Sequence, residues 1–241
     1  MKMSTLAAVQ AARAARQPVV LVKRIADGEE ALIFADRAEG VLAGDAAALA
    51  AGRAALESGT SETVDSASGK LFVQAFIPPQ RMIVVGAVHI AQALVPIASM
   101  AGFDVVVIDP RRAFASDSRF PGVTVMSDWP DEAMESLKPD SSTAVVTLTH
   151  DPKLDDPALI VALNSEAFYV GSLGSRRTHA KRKERLNQAG ISDQQFARIH
   201  GPVGLDLGGR SPAEIAISIV AQIIQVRSAQ NAERQPRERA A

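Results

Sequence analysis

Two kinds of apolar pattern follow one another along this chain. Residues 6–16 are alanine-rich and predict a helix that Pro18 stops. Residues 19–25 read Val-Val-Leu-Val-Lys-Arg-Ile, a strand; Asp27 and Gly28 mark a turn, and 31–34 supply the hairpin partner. Residues 45–58 predict a second helix, with Asp45 as its cap and Gly59 as its stop. Residues 70–76 alternate apolar with polar, as a half-buried strand does. Pro78 and Pro79 mark the expected domain boundary.

Beyond that boundary the strands become short, continuous apolar runs at 81–85, 103–108, 123–126, 143–148 and 167–171. Helical segments are expected over about 89–101, near 131–137 and 157–165, and from Ser175 to about Gln188. Pro96 falls inside the first of these, where it removes a hydrogen bond and is expected to kink the axis. Strands buried on both faces and alternating with helices predict an α/β fold with a doubly wound parallel sheet. A last helix over 212–227 places Ile215, Ile219, Ile223 and Val226 on one face. The polar and charged residues 228–241 are expected to form a disordered tail.

Composition narrows the class of protein. The 241 residues are 47% hydrophobic but only 4% aromatic, so aliphatic side chains must fill the core. A net charge of −1 argues against nucleic acid as the main partner. The absence of cysteine removes disulfides, thiolate metal sites and cysteine nucleophiles together. Four histidines leave zinc conceivable, yet no pair has helical ligand spacing, so no metal site is expected. Nothing between Met1 and Gln17 resembles a signal sequence, and no later run approaches a membrane span. A soluble cytoplasmic protein without a membrane partner is the expectation.

The candidate chemistry sits at strand ends. Gly171-Ser172-Leu-Gly-Ser175-Arg176-Arg177 leads from a strand into a helix, with Ser175 as its N-cap. Basic residues at a helix N-terminus oppose its dipole, so this turn makes best sense with an anion, such as a phosphate, held there. Gly86-Ala87-Val88-His89-Ile-Ala91 occupies the place of a dinucleotide fingerprint, with Val88 where the middle glycine normally stands. Asp109, 23 positions after Gly86, stands where a ribose-binding acid belongs, and Arg111 and Arg112 suit an extra phosphate. His89 either starts a helix or donates to a bound heterocycle or phosphate. His150 and Asp151 follow the fourth strand, either as a simple turn before Pro152 or as crevice-lining groups; Asp155 and Asp156 can cap the next helix. The loop 201–210 is glycine-rich enough to point to close backbone approach, with His200, Gly204 and Asp206 as candidate lining residues. Ser211, Pro212 and Glu214 form a capping box, which is structural.

Taken in order, Gly86-Ala-Val-His-Ile-Ala91, Asp109-Pro-Arg111, Arg119-Phe-Pro121, Thr149-His-Asp151, Gly171-Ser-Leu-Gly-Ser-Arg-Arg-Thr-His179 and Ile199-His-Gly-Pro-Val-Gly-Leu-Asp206 resemble the XdhC/CoxI family. These are maturation factors of molybdenum hydroxylases such as xanthine dehydrogenase and carbon monoxide dehydrogenase, and the resemblance covers roughly residues 81–227. It implies a smaller N-terminal α+β domain at 1–79 and a C-terminal Rossmann-like domain at 80–227. It further implies a chaperone-like role: binding molybdenum cofactor, a molybdopterin in mononucleotide or dinucleotide form, and passing it to an apo molybdenum hydroxylase. A cysteine desulfurase, acting at the sulfuration step, is a further partner the family implies, and a homodimer is the family-level state. Two departures stand out. The family fingerprint usually reads Gly-Ala-Gly-His, against Val88 here. Its N-terminal domain usually carries a Gly-Gly-Cys-type motif near a Glu-Gly pair, against Ala38-Glu39-Gly40 and no cysteine here.

Three readings follow. In the first, a maturation factor holds the ligand's phosphate on Ser175, Arg176 and Arg177, with Gly86 to His89 as one wall and Asp109, His150 and Asp151 lining the crevice. In the second, a nicotinamide-dependent oxidoreductase uses Asp109 or Arg111 to select NAD(P) and His150 as proton donor. In the third, a ligand-free family member serves only as a protein-docking factor.

Overall fold

The structure, a computed structural model of the whole chain, describes residues 2–116 and 118–234. It divides into two compact units, one built on Met1–Pro78 and one on Pro79–Ala229. The first contains α1 (Met3–Ala14), β1 (Val19–Arg24), β2 (Glu30–Ile33), β3 (Ala38–Gly40), a 3-10 turn (Val41–Gly44), α2 (Ala46–Ser58), β4 (Glu62–Ser66) and β5 (Gly69–Phe76). Its sheet has the order β3-β2-β1-β5-β4 and its pairings are antiparallel. An antiparallel strand normally alternates, but β1 is apolar at four positions running because a helix covers each face of the sheet. Val19 and Leu21 pack with Val9 and Ala12 of α1. Val20 and Val22 pack with Ala48 and Ala55 of α2. Each of the buried valines and leucines stabilises the unit by roughly 1.5–3 kcal/mol.

Glu30, on β2, is 4% exposed. Its carboxylate accepts from the Lys2 N–H at 3.1 Å and the Thr5 hydroxyl at 3.0 Å, with Lys23 Nζ at 3.6 Å. Burial alone would raise its pKa; the Lys2 and Thr5 hydrogen bonds act against burial, and the pKa is held at about 2.

The second unit contains β6 (Arg81–Val85), α3 (His89–Met100), β7 (Asp104–Ile108), β8 (Thr124–Met126), α4 (Pro130–Leu137), β9 (Thr143–Thr147) and α5 (Pro152–Leu163). It continues through β10 (Tyr169–Ser172), α6 (Arg176–Gln188), α7 (Asp193–Phe196), β11 (Ile199–His200) and α8 (Pro212–Arg234). All pairings are parallel, in the order β11-β10-β9-β6-β7-β8. Counted from β6, this is the nucleotide-binding order 3-2-1-4-5-6. Successive strand residues point to opposite faces, so each run feeds two cores. Met82, Val84, Val105, Val107 and Val146 pack with Leu94 of α3 and Ile219 and Ile223 of α8. Ile83, Val85, Val106 and Val145 pack with Met134 of α4, Leu159 of α5 and Leu186 of α6.

Several boundaries differ from the sequence expectation. Residues 228–234 continue α8 instead of beginning a tail. Ala, Gln, Glu and Arg are good helix formers, so a polar sequence of this composition can continue a helix; residues 235–241 of the expected tail lie outside the described residues. Helix α5 starts at Pro152, not near 157, because the Asp151 side chain accepts from the Lys153 N–H at 2.9 Å and proline suits the first helical position. Helix α3 runs on through Pro96. Three short strands, β3, β4 and β11, were not expected. Among the described residues no helix is long and apolar enough to cross a membrane.

Candidate functional site

The strand order reverses between β6 and β9, and in doubly wound sheets the crevice at that point takes the ligand. Gly86 follows β6 with φ +109°, and a Cβ there would lie 2.5 Å from Thr149 Cγ2. Glycine is thus required for the loops after β6 and β9 to meet, whatever ligand they hold. The Ala87 N–H donates to Asp109 Oδ2 at 2.8 Å. Asp109 is fully buried, and Arg111 grips both its oxygens through Nε at 2.8 Å, a terminal nitrogen at 2.7 Å and its own backbone N–H at 3.0 Å. Burial raises the Asp109 carboxyl pKa, yet the Arg111 fork and the two N–H donors outweigh it and hold it below the usual range. Each oxygen already accepts two bonds, so Asp109 pins the Gly86 loop and offers nothing to a ribose while Arg111 holds it. Arg119 adds a second tie, donating to the Ala87 carbonyl at 2.8 Å and to Gln92 Oε1 at 3.0 Å.

Val88 precedes α3 in extended backbone (φ −88°, ψ 177°) and provides no side-chain cap. The first-turn N–H groups of α3 are left as open donors. Val88 is half-buried against the core and His89 is exposed at the helix start.

Across the crevice, His150 is exposed and sits at φ +61°, a conformation uncommon outside glycine. Asp155 holds it there: one carboxylate oxygen accepts from the His150 N–H at 3.1 Å, the other from the Thr149 hydroxyl at 2.7 Å. Asp155 is therefore not the cap of α5, a part Asp151 plays. Asp156 pairs with Arg185 through two bonds of 2.5 and 3.0 Å. Burial pushes the Asp155 carboxyl up, only partly offset by Thr149, His150 and the Arg182 guanidinium 3.9 Å away. The charges of Asp151 and Asp155 both act on Arg111, which ties the two sides of the crevice electrostatically.

The remaining candidates separate into floor and rim. Gly171 lies inside β10, where a Cβ would meet Val203 Cγ2 at 2.6 Å and the Tyr169 ring at 2.8 Å. Ser172 is fully buried, its hydroxyl 2.6 Å from that of Thr147. His200 stacks on Tyr169 with ring centroids 4.6 Å apart, and burial lowers its pKa, favouring the neutral ring. The glycine-rich loop is shaped by α8: a Cβ on Gly204 would collide with Ser218 Oγ, and the Gly204 N–H donates to Gln222 Oε1 at 2.9 Å. Asp206 is exposed on that loop, and Ser175, Arg176 and Arg177 are exposed at the start of α6. The Ser175 hydroxyl accepts from the Thr178 N–H at 3.2 Å, and Glu214 reciprocates with Ser211, so both expected caps form. Among the described residues no cluster of three His, Cys, Asp or Glu side chains could hold a metal ion.

Sequence reasoning passed over Arg182. It is 1% exposed, and its one short bond goes to the Leu173 carbonyl at 2.9 Å. A signal existed: Arg182 stands four residues before Leu186, on the buried face of α6.

A parallel sheet in this order, with a glycine loop, an acid at the second strand end and an uncapped helix N-terminus, defines a Rossmann-type domain. Residues 82–223 match the model of the XdhC Rossmann domain, and the chain belongs to that family. It is 32% identical over 158 residues to a probable xanthine dehydrogenase subunit of Bacillus subtilis, covering 65% of this chain and 46% of that protein. It is 31% identical over 156 residues to the molybdenum cofactor insertion chaperone PaoD of Escherichia coli, covering 65% and 43%. It is also 32% identical over 152 residues to the uncharacterised protein YqeB of Escherichia coli, covering 61% and 27%. The matched region thus spans less than half of each relative. The crystal structure of a xanthine dehydrogenase from Bacillus halodurans superposes with a TM-score of 0.69 at 27% identity, over 98% of this chain and 70% of that one.

Proposed function

We propose that this chain binds molybdenum cofactor in the crevice between β6 and β9 and delivers it to an apo molybdenum hydroxylase. The observation that carries the reading is that an XdhC Rossmann domain turns open donors toward this crevice, those of the α3 first turn. The similarity to PaoD, whose name describes cofactor insertion, supports the same cargo. In this reading the exposed Ser175, Arg176, Arg177, His89, His150 and Asp151 meet the ligand or its anionic groups. Gly86, Ala87, Val88, Asp109, Arg111, Gly171, Ser172 and His200 position the walls and floor, and Asp206 lies on the rim loop. No bond is made or broken by the chain; it shelters a labile cargo until a partner takes it. A cysteine desulfurase contact and a homodimeric state belong to the same proposal, and co-purification and light scattering read them.

The test is anaerobic binding of molybdenum cofactor with NADH and NADPH as competitors. Tight binding that resists both nicotinamides, and weakens on joint Arg176→Ala and Arg177→Ala substitution, supports the reading. Binding of a nicotinamide alone, tightened by Val88→Gly, would replace it with an oxidoreductase.

A further inference from the structure

Beside the crevice, the β9–α5 loop, the start of α5 and the first three turns of α6 border a solvent-open cavity of about 180 Å³. His150, Pro152 and Asp155 line one side; Arg177, Thr178, Lys181, Arg182 and Arg185 line the other. One water takes roughly 30 Å³, so a tetrahedral oxyanion fits with room for solvent.

The cavity is short of negative charge. Arg185 is satisfied by Asp156, and Arg182 has only the longer Asp155 contact at 3.9 Å. Arg177 and Lys181 have no ion-pair partner among the described residues. Four cations therefore meet two carboxylates, an excess matching a phosphate dianion. Arg177 and Lys181 stand four residues apart on one helix face with no carboxylate of their own, a like-charge pair that an anion between them would relieve. Most telling is Arg182 itself: Nε and one terminal nitrogen are buried with no hydrogen-bond partner. Buried guanidinium donors are normally paired, and five N–H groups in a planar fork suit a phosphate.

We propose that this cavity is a phosphate-monoester subsite, in which Arg182, Arg177 and Lys181 hold the terminal phosphate of the crevice ligand. The inference rests on the crevice reading for the ligand's identity, and His150, shared by crevice and cavity, makes the two continuous. It moves the phosphate from the exposed Ser175–Arg177 turn to one helical turn further along α6, with Arg177 common to both.

The experiment begins with the full chain and inorganic phosphate alone, at ionic strength fixed with chloride, read by the ¹⁵N–¹H signal of the Arg182 Nε and by the thermal midpoint. A saturable shift of that signal with a rise in midpoint is expected. Lys181→Gln, at an exposed position that leaves the fold intact, should weaken phosphate by about tenfold, the scale of one charge-assisted hydrogen bond. Arg182→Met should abolish the phosphate-dependent rise in thermal midpoint, while Lys183→Gln, which removes equal charge from a residue paired with Asp193, should change neither readout. No phosphate response, or one that survives Lys181→Gln and Arg182→Met, overturns the subsite and leaves the crevice reading standing. The second arm is molybdenum cofactor with and without saturating phosphate. Competition is expected; simultaneous, independent binding overturns the assignment to the ligand's own phosphate. Cofactor that never binds a phosphate-competent protein overturns the crevice reading instead.

Discussion

Of the charged side chains buried in the two units, Glu30 and Arg182 are treated in opposite ways. Glu30 in the first unit has an N–H, a hydroxyl and an ammonium turned to it. Arg182 in the second has one short hydrogen bond, a distant carboxylate and two buried nitrogens without a hydrogen-bond partner among the described residues. A buried charge is stable only when paired and hydrogen-bonded. The carboxylate of Glu30 is complete and stitches the start of α1 to β1 and β2. Arg182 is incomplete, and what completes it lies outside the chain. Pairing, more than burial, separates a structural charge from a binding charge.

The largest expected effect breaks the complete side. Glu30→Ala strands the Lys2 and Thr5 donors and should cost the first unit about 3 kcal/mol. Hydrogen exchange on the amides of β1 and β2 reads that unit separately, since two units need not unfold as one transition. Acid should act in the same way. The folded pKa of Glu30 lies at about 2 against an ordinary 4.5, so its contribution is present above 4.5 and disappears as pH falls toward 2. Protection of β1 that is unchanged across that range would show that Glu30 is not stitched as described.

Asp155 comes next and has the opposite sign. Its folded pKa is raised, so the folded state favours its protonated form, and it contributes most below the ordinary carboxylate value of 3.8. That contribution is lost as pH rises through its folded pKa. Asp155→Asn replaces one acceptor facing the Thr149 and His150 donors with an NH₂ group and should cost about 2 kcal/mol. Because His150 is kept at positive φ by this carboxylate, crevice ligand binding should weaken as well. Stability lost with binding intact would show that the loop is not part of the site.

How much of this was legible beforehand depended on whether a pattern repeats. The parallel sheet was readable because β6, β7 and β9 are unbroken aliphatic runs, and only burial on both faces allows that. Caps at Asp45, Ser175 and Ser211 were readable because one side-chain type at one position satisfies a helix end. Strand β4 was not, because Glu-Thr-Val-Asp-Ser is an exposed edge with one apolar residue. The crevice was legible as a place, but the roles of its residues were not. Gly86 read as the first glycine of a fingerprint and Gly204 as a lining residue, and each also lets chain approach chain, at Thr149 and Ser218. Asp109 read as a ribose acceptor and is held by Arg111. Arg182 was hidden by company: in Arg-Arg-Thr-His-Ala-Lys-Arg-Lys-Glu-Arg, a basic run predicts a solvated face, and only the four-residue step to Leu186 distinguishes one arginine from its neighbours.

The smallest expected effect is the sharpest test of the comparison. Arg182→Met removes a buried cation, which for a completed ion pair would cost several kcal/mol. Here the loss is confined to one bond to the Leu173 carbonyl and a 3.9 Å contact, while the desolvated guanidinium, whose pKa burial already lowers, is relieved. Asp155 does not become stranded, since Thr149 and His150 still donate to it and its raised pKa lets it take a proton. The methionine fills much of the stem volume. In phosphate-free buffer the variant should therefore lie within about 1 kcal/mol of the parent, measured by denaturant unfolding through Trp129 at the start of α4. A loss as large as that for Glu30→Ala would mean that Arg182 is a completed structural charge after all, and the contrast between the two units would fail.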